Sequence, residues 1–200
     1  MKLIAWDFDG VLNRGFEGGF FLWQASFEAD LGVSAAVFTE FMFGSGQFDA
    51  VLTGKRDLLD LLGDWIAAHQ VPHQAEAVLN YWLAKDAHPD PQVLGWLAAC
   101  GIPGVIATNN EAHRAKYMWE TMGFRDKLQK IFASGPLGVK KPAADFFKTI
   151  EQWSGLPPGE ILLVDDAEKN ILAAEERGWQ TFHFHDDSRA KLPELLGVTP

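Results

Sequence analysis

Short apolar runs that stop abruptly at acidic, hydroxyl, amide or ammonium side chains recur at distant points in this chain, and that arrangement restricts the fold most. Leu3-Ile4-Ala5-Trp6 stops at Asp7-Phe8-Asp9-Gly10, Gly104-Val105-Ile106-Ala107 at Thr108-Asn109, and Ile161-Leu162-Leu163-Val164 at Asp165-Asp166. Ile131-Phe132-Ala133 is a further run, followed a few residues on by Lys140-Lys141-Pro142, and Thr181-Phe182-His183-Phe184 is the last. Runs of this length, bounded by breakers, read as buried strands. Helical periods separate them at 92–99, stopped by Gly101, at 111–122, closed by Gly123, at 143–153, entered through Pro142, and at 168–177, closed by Gly178. Strands alternating with helices predict an α/β fold whose parallel sheet is doubly wound, with helices on both faces. Such sheets bind ligands beyond the carboxyl ends of their strands. The polar residues stand just there, so four distant segments are expected to meet at one rim.

The stretch from about residue 16 to residue 87 has a different texture and reads as helical. Phe20, Phe27 and Leu31 recur near helical spacing, and Ser34 is placed to cap a helix carrying Val37, Phe38, Phe41 and Met42. Leu58, Leu61, Leu62, Trp65 and Ile66 form another stripe, and Val78, Leu79, Trp82 and Leu83 a further one, with Gly44-Ser45-Gly46 and Val71-Pro72 as breakers.

Asp7 and Asp9, two residues apart, project to the same side of an extended segment, and Gly10 permits a sharp turn. Cleaving a phosphate ester needs an oxygen nucleophile and a second group to protonate the departing alkoxide, and a carboxylate pair supplies both. An Asp-Gly at a strand end is also a common turn. The adjacent Asp165-Asp166 pair repels itself unless a cation lies close by. With Asp7 it makes an oxygen-rich site suited to Mg²⁺, whereas helix capping requires only one of the two. Thr108 offers a hydroxyl to a phosphate oxygen, beside a helix start near Glu111. Lys140-Lys141-Pro142 supplies positive charge, with Pro142 suited to a first helical turn.

These segments, in this order, resemble the motifs of the haloacid dehalogenase superfamily: Asp7-Phe8-Asp9-Gly10-Val11-Leu12, Ala107-Thr108-Asn109, Gly138-Val139-Lys140-Lys141-Pro142, and Leu163-Val164-Asp165-Asp166 with Asn170 downstream. The resemblance covers the whole chain. It implies a Rossmann-like core from residues 1–13 and 89–200, and an inserted helical cap of the C1 type (subfamily IA-like) at 14–88. It further implies a Mg²⁺-dependent phosphatase for a small phosphorylated metabolite. Asp7 is then the nucleophile that forms an aspartyl-phosphate, and Asp9 the acid and later the base. Mg²⁺ is expected on Asp7, the main-chain carbonyl of Asp9, Asp165 and Asp166, and the phosphate oxygens on Thr108, Asn109 and Lys141. Lys141 is favoured over Lys140 because it precedes the proline. Asp9 also separates the chain from true dehalogenases, which lack a carboxylate at that place. Many relatives continue Asp-Pro after the Lys-Pro, whereas this chain has Ala143-Ala144.

A sugar-phosphate mutase on the same site is the main alternative. A phosphate-receiver signalling module fits less well, because its acidic pair follows the first strand. The cap is quieter. Arg14, His69, His73, His113 and Arg114 are expected mainly as solvated surface residues, and Phe16, Phe20, Phe21 and Trp23 as an apolar wall for the organic part of a substrate. With 27 acidic against 17 basic residues, the net charge of -10 disfavours nucleic acid and anionic membrane as partners. Cys100 is the one cysteine, which leaves no internal disulfide and suits a reducing compartment. No signal-peptide pattern precedes the first strand, and no apolar stretch has the roughly 20 residues of a membrane span. The expectation is a cytoplasmic monomer or homodimer.

Overall fold

In the computed structural model, which describes residues 1–199, the strands are β1 (Leu3–Trp6), β2 (Phe16–Glu17), β3 (Phe20–Phe21), β4 (Gly104–Thr108), β5 (Ile131–Ala133), β6 (Ile161–Asp165) and β7 (Gln180–His183). Five of them form a parallel sheet in the order β5-β4-β1-β6-β7. The chain winds from the central β1 outward through β4 to β5, then returns to the other side for β6 and β7. The reversal opens a crevice at the carboxyl ends of β1, β4 and β6.

Strand burial explains why the runs read as continuously apolar. Ile4 and Trp6 enter one core with Ile106, Leu162 and Val164, covered by Val93 and Trp96 of the helix Pro91–Ala99. Leu3 and Ala5 enter the opposite core with Val105, Ala107 and Leu163, covered by Phe146, Phe147 and Ile150 of the helix Ala144–Ser154 and by Ile171 and Ala174 of the helix Glu168–Glu176. Both faces of the sheet are covered, so every position of β1 is apolar and buried. Each large side chain so buried contributes about 1.5–3 kcal/mol.

The segment between β1 and β4 packs its helices around a separate core. Trp23, Phe27, Phe38, Trp65 and Trp82 form its centre, with edge-to-face contacts such as Phe38–Trp65 at 4.9 Å and Phe38–Trp82 at 5.1 Å. The helices Leu58–His69 and Ala75–Lys85 follow the expected stripes, the first capped by the Asp57 carboxylate, which accepts from the Leu59 N–H.

Local structure departs from the sequence reading in several places. Residues 16–21 form a hairpin, not a helix: Phe16 pairs with Phe21 and Glu17 with Phe20. Gly18 and Gly19 both have positive φ (59° and 89°), the condition of a tight two-residue turn whose twist matches its strands. Phe20 therefore leaves the helical stripe and is 69% exposed. Ser34 precedes its helix in an extended conformation without a side-chain capping bond. Pro142 lies outside the helix it was expected to open, because that helix starts at Ala144, after a turn containing a cis Lys141–Pro142 peptide.

Candidate active site

Asp7 extends the sheet by one residue: its N–H donates to the Val164 carbonyl at 2.8 Å, which brings the end of β1 beside the end of β6. Phe8 turns inward and packs edge-on against Phe124, so Asp7 and Asp9 emerge together on the crevice side. Gly10 has φ of 84°, and a Cβ built there would lie 2.2 Å from Asp166 Oδ2. The turn after β1 thus approaches Asp166 more closely than any side chain would allow.

One carboxylate oxygen from each of Asp7, Asp165 and Asp166 lies within 4.8 Å of the others. Lys141, wholly buried, reaches into this cluster. Its Nζ lies 3.0 Å from Asp7 Oδ1 and 2.5 Å from Asp165 Oδ2. Burial pushes the Asp7 carboxyl well above its ordinary value; Lys141 opposes this, while Asp165 and Asp166 add to it. Asp166 is pushed up to about 6, by burial first and by Asp165 second. Burial alone depresses Lys141, yet Asp7 and Asp165 outweigh it and raise the ammonium above its usual range. One ammonium among three carboxylates leaves negative charge uncompensated in a low-dielectric site.

A hard divalent cation fits that deficit, and the oxygen donors suit it. The two neighbouring aspartates differ in how free they are to bind one. Both oxygens of Asp165 are engaged: Oδ1 accepts from the Ala167 N–H and from Asn170, and Oδ2 from Lys141 and Asn170. Asp166 accepts no such side-chain bonds among the described residues and is the more exposed of the pair.

The carboxylate of Asp9 lies outside this cluster and is held separately. Asn110 Nδ2 donates to Asp9 Oδ2 at 2.9 Å and to Thr108 Oγ1 at 2.7 Å. Arg114 donates to Asp9 Oδ1 at 2.7 Å, pairs through its other terminal nitrogen with Asp86, and lies over the Phe8 ring. Glu111 caps the helix Ala112–Lys116 by accepting from the His113 and Arg114 N–H groups, which orients Arg114 toward Asp9. Asn13, fully buried, joins both chain crossings to the inserted segment. It donates to the Asp86 carbonyl at 2.9 Å and accepts from the His88 N–H at 2.6 Å.

A cavity of about 300 Å³ opens over Asp9, Asn110 and Arg114. Its far wall comes from the inserted segment, including Phe16, Phe21, Trp23 and Trp82. Contacts between the inserted segment and the sheet side close around it: His113 with Asp57, Lys140 with Asp49, and a Gly54 backbone seated against the Gly135 carbonyl.

Asp7, Asp9, Thr108, Lys141, Asp165 and Asp166 all come to one rim, although Asp9 turns its carboxylate to Asn110 and Arg114. Asn109 serves the backbone of Lys141 instead of facing outward: its Nδ2 donates to the Lys141 carbonyl at 2.9 Å and its Oδ1 accepts from the Lys141 N–H at 2.8 Å. This clamp sets the lysine from a different strand end. Arg114, expected at the surface, is a correction, since only 14% of its side chain is exposed and it bridges two aspartates at the site. Asn110 escaped the sequence reading, its one signal being a second consecutive amide after β4. Arg14 meets Asp186 at the surface, and His73 binds the Leu31 carbonyl away from the cavity. Of the expected aromatic wall, Phe16, Phe21 and Trp23 line the cavity and Phe20 does not.

The protein is thus of the doubly wound α/β class, with an acidic cluster at the switch point of its parallel sheet countered by a buried lysine. The chain belongs to the haloacid dehalogenase-like hydrolase family, whose profile matches residues 1–178. A phosphoglycolate phosphatase of Chromobacterium violaceum is 33% identical over 85 residues, covering 42% of this chain and 38% of that protein. The chain spans 14–50% of the length of the curated relatives it matches. A HAD-like family hydrolase from Porphyromonas gingivalis superposes with a TM-score of 0.77 at 18% identity, covering 100% of this chain and 99% of that one. A HAD family enzyme from Bacteroides thetaiotaomicron, in complex with magnesium and inorganic phosphate, gives 0.73 at 18% identity, covering 91% and 93%. Among the described residues no helix is long and apolar enough to cross a membrane.

Proposed function

We propose that this chain is a Mg²⁺-dependent phosphatase that hydrolyses small phosphate monoesters through an aspartyl-phosphate on Asp7, with residues 14–88 as its cap. The observation that carries this reading is the buried Lys141 ammonium set between Asp7 and Asp165 in a cluster that still lacks positive charge. The magnesium and phosphate bound by the structurally similar Bacteroides enzyme favour the same reading. Asp7, Asp166 and Asp165 would hold the metal, together with the main-chain carbonyl of Asp9. When bound, Mg²⁺ supplies charge that keeps these carboxylates ionised and offsets the charge of the phosphoryl group.

Asp7 attacks phosphorus through a carboxylate oxygen as the bond to the ester oxygen breaks, and the Asp9 carboxyl gives its proton to the departing alkoxide. Water then attacks the aspartyl-phosphate. Asp9 takes back a proton, inorganic phosphate leaves, and Asp7 is restored. Lys141 has three N–H donors and directs two to Asp7 and Asp165, so one remains for a phosphoryl oxygen. The Thr108 hydroxyl accepts from Asn110 and is free to donate to another. Asn109 contributes by fixing the Lys141 backbone. Asn110 and Arg114 position Asp9.

The test is phosphate release from a panel of phosphorylated small molecules, with Mg²⁺ and with chelator. Release is expected only with metal, and none from Asp7→Asn. Isomerised esters without free phosphate would identify a mutase instead. Neither product across the panel would end the reading.

A further inference from the structure

The cavity above Asp9 has two unlike halves. On the sheet side it presents Asp9, Asn109, Asn110, Glu111 and Arg114. On the cap side, every residue that lines it from position 16 to position 83 is aromatic or leucine. Trp23, Trp82 and Leu83 are nine-tenths or more buried there, whereas Phe16 is 56% exposed, so the apolar wall runs outward to the surface along the hairpin. A phosphorylated sugar or polyol needs hydroxyl partners, and this wall offers almost none. The Trp82 indole N–H is its one buried polar group without a partner among the described residues.

Charge points the same way. Among the described residues lining the cavity, Arg114 alone is cationic; its two terminal nitrogens are already paired with Asp86 and Asp9, and its Nε, without a partner among the described residues, is buried out of a ligand's reach. A carboxylate or a second phosphate on the leaving group would meet Asp86 and Glu111 with no free cation to receive it. Desolvating such an anion without a partner is costly. An uncharged hydrocarbon group would instead remove its own surface and that of the wall from water.

Resting on the phosphatase reading, we propose that the leaving group this site accepts is an uncharged, apolar alcohol, aryl or alkyl, seated against the cap aromatics with its ester oxygen toward Asp9. Leu52 and Phe43 line its path, and the cap selects for chain or ring bulk rather than for hydroxyl pattern.

The decisive measurement is binding of n-alkylphosphonates of increasing length to the Mg²⁺-loaded protein by calorimetry, because these cannot be hydrolysed. Kd is expected to fall about threefold to fourfold per added methylene until the cavity is filled. In Leu52→Asn the gradient should flatten. A Kd independent of chain length overturns the proposal, as does tighter binding of hydroxylated or carboxylated phosphonates of equal size. Hydrolysis of the matching alkyl and aryl phosphates is read separately. A length gradient in binding without phosphate release supports the apolar site and refutes the phosphatase reading alone.

Discussion

Replacing Lys141 by methionine removes the one ammonium in the acidic cluster while nearly preserving side-chain volume. Its Nζ lies 3.0 Å from Asp7 and 2.5 Å from Asp165, with no exposed surface on the lysine side chain. With an effective dielectric constant of about 20, each contact is worth roughly 5–7 kcal/mol of attraction. Desolvating the charges cancels much of that, and breaking a buried pair from one side costs about 3–5 kcal/mol net. Lys141→Met is therefore expected to lose about that much unfolding free energy at pH 7.5 in chelator, measured by urea denaturation. The deficit should shrink at pH 5.5. Asp7 already sits above the ordinary carboxylate range because it is buried, and loss of Lys141, which lowers it, raises it further. A carboxyl raised in the folded state binds protons more tightly there than in the unfolded chain, so acidification through that value favours folding. Each unit of such a shift is worth about 1.4 kcal/mol. Mg²⁺ should also recover part of the loss. A variant within about 1 kcal/mol of wild type at pH 7.5, or a deficit that ignores pH, would refute the compensation argument. A variant unfolded at pH 7.5 but folded at pH 5.5 would support it.

Gly10→Ala is expected to displace Asp166, since the new Cβ meets its carboxylate and φ is positive; calorimetry should show weakened Mg²⁺ binding in a folded protein. Mg²⁺ affinity of the wild type should fall as pH drops through about 6, where Asp166 takes up a proton, by up to about tenfold per unit, and titrations from pH 5 to 8 check this. Asn110→Ala frees one oxygen of Asp9 and the buried Thr108 hydroxyl from their donor, and should lower kcat about 10–100-fold while costing about 1–3 kcal/mol of unfolding free energy, read by activity assay and urea denaturation. Glu151 accepts from Arg177 and Trp179, which together outweigh burial and hold its carboxyl below its ordinary value. Glu151→Gln should cost about 1–3 kcal/mol at pH 7. In the wild type that stability is present above the ordinary carboxylate value and is lost as pH falls through the lower folded one, so the two proteins should converge in acid.

Sequence alone determined the sheet and the residues that gather at its rim. Those features are local: an apolar run covered on both faces reads as continuous hydrophobicity, and its end shows where polar groups begin, as at Trp6–Asp7 and Val164–Asp165. What each gathered side chain touches was decided by tertiary contacts. Asn109 and Asn110 are neighbours of the same type, yet one clamps the Lys141 backbone and the other holds Asp9. Adjacent Asp165 and Asp166 likewise divide, one saturated by Lys141 and Asn170, the other exposed and accepting no side-chain bond among the described residues. The hairpin at Gly18-Gly19 was hidden because Phe20 happens to fall in step with a helical stripe. Arg114 looked like a surface residue because nothing in sequence fixes the rotation of a short helix; Glu111's capping bonds set it. The apolar wall was legible only in part: Phe16, Phe21 and Trp23 were expected in it, whereas helical spacing shows that Trp82 turns inward without showing that it also faces the cavity. A strand's periodicity is written along the chain, whereas a cavity exists only where separate elements fail to fill the space between them.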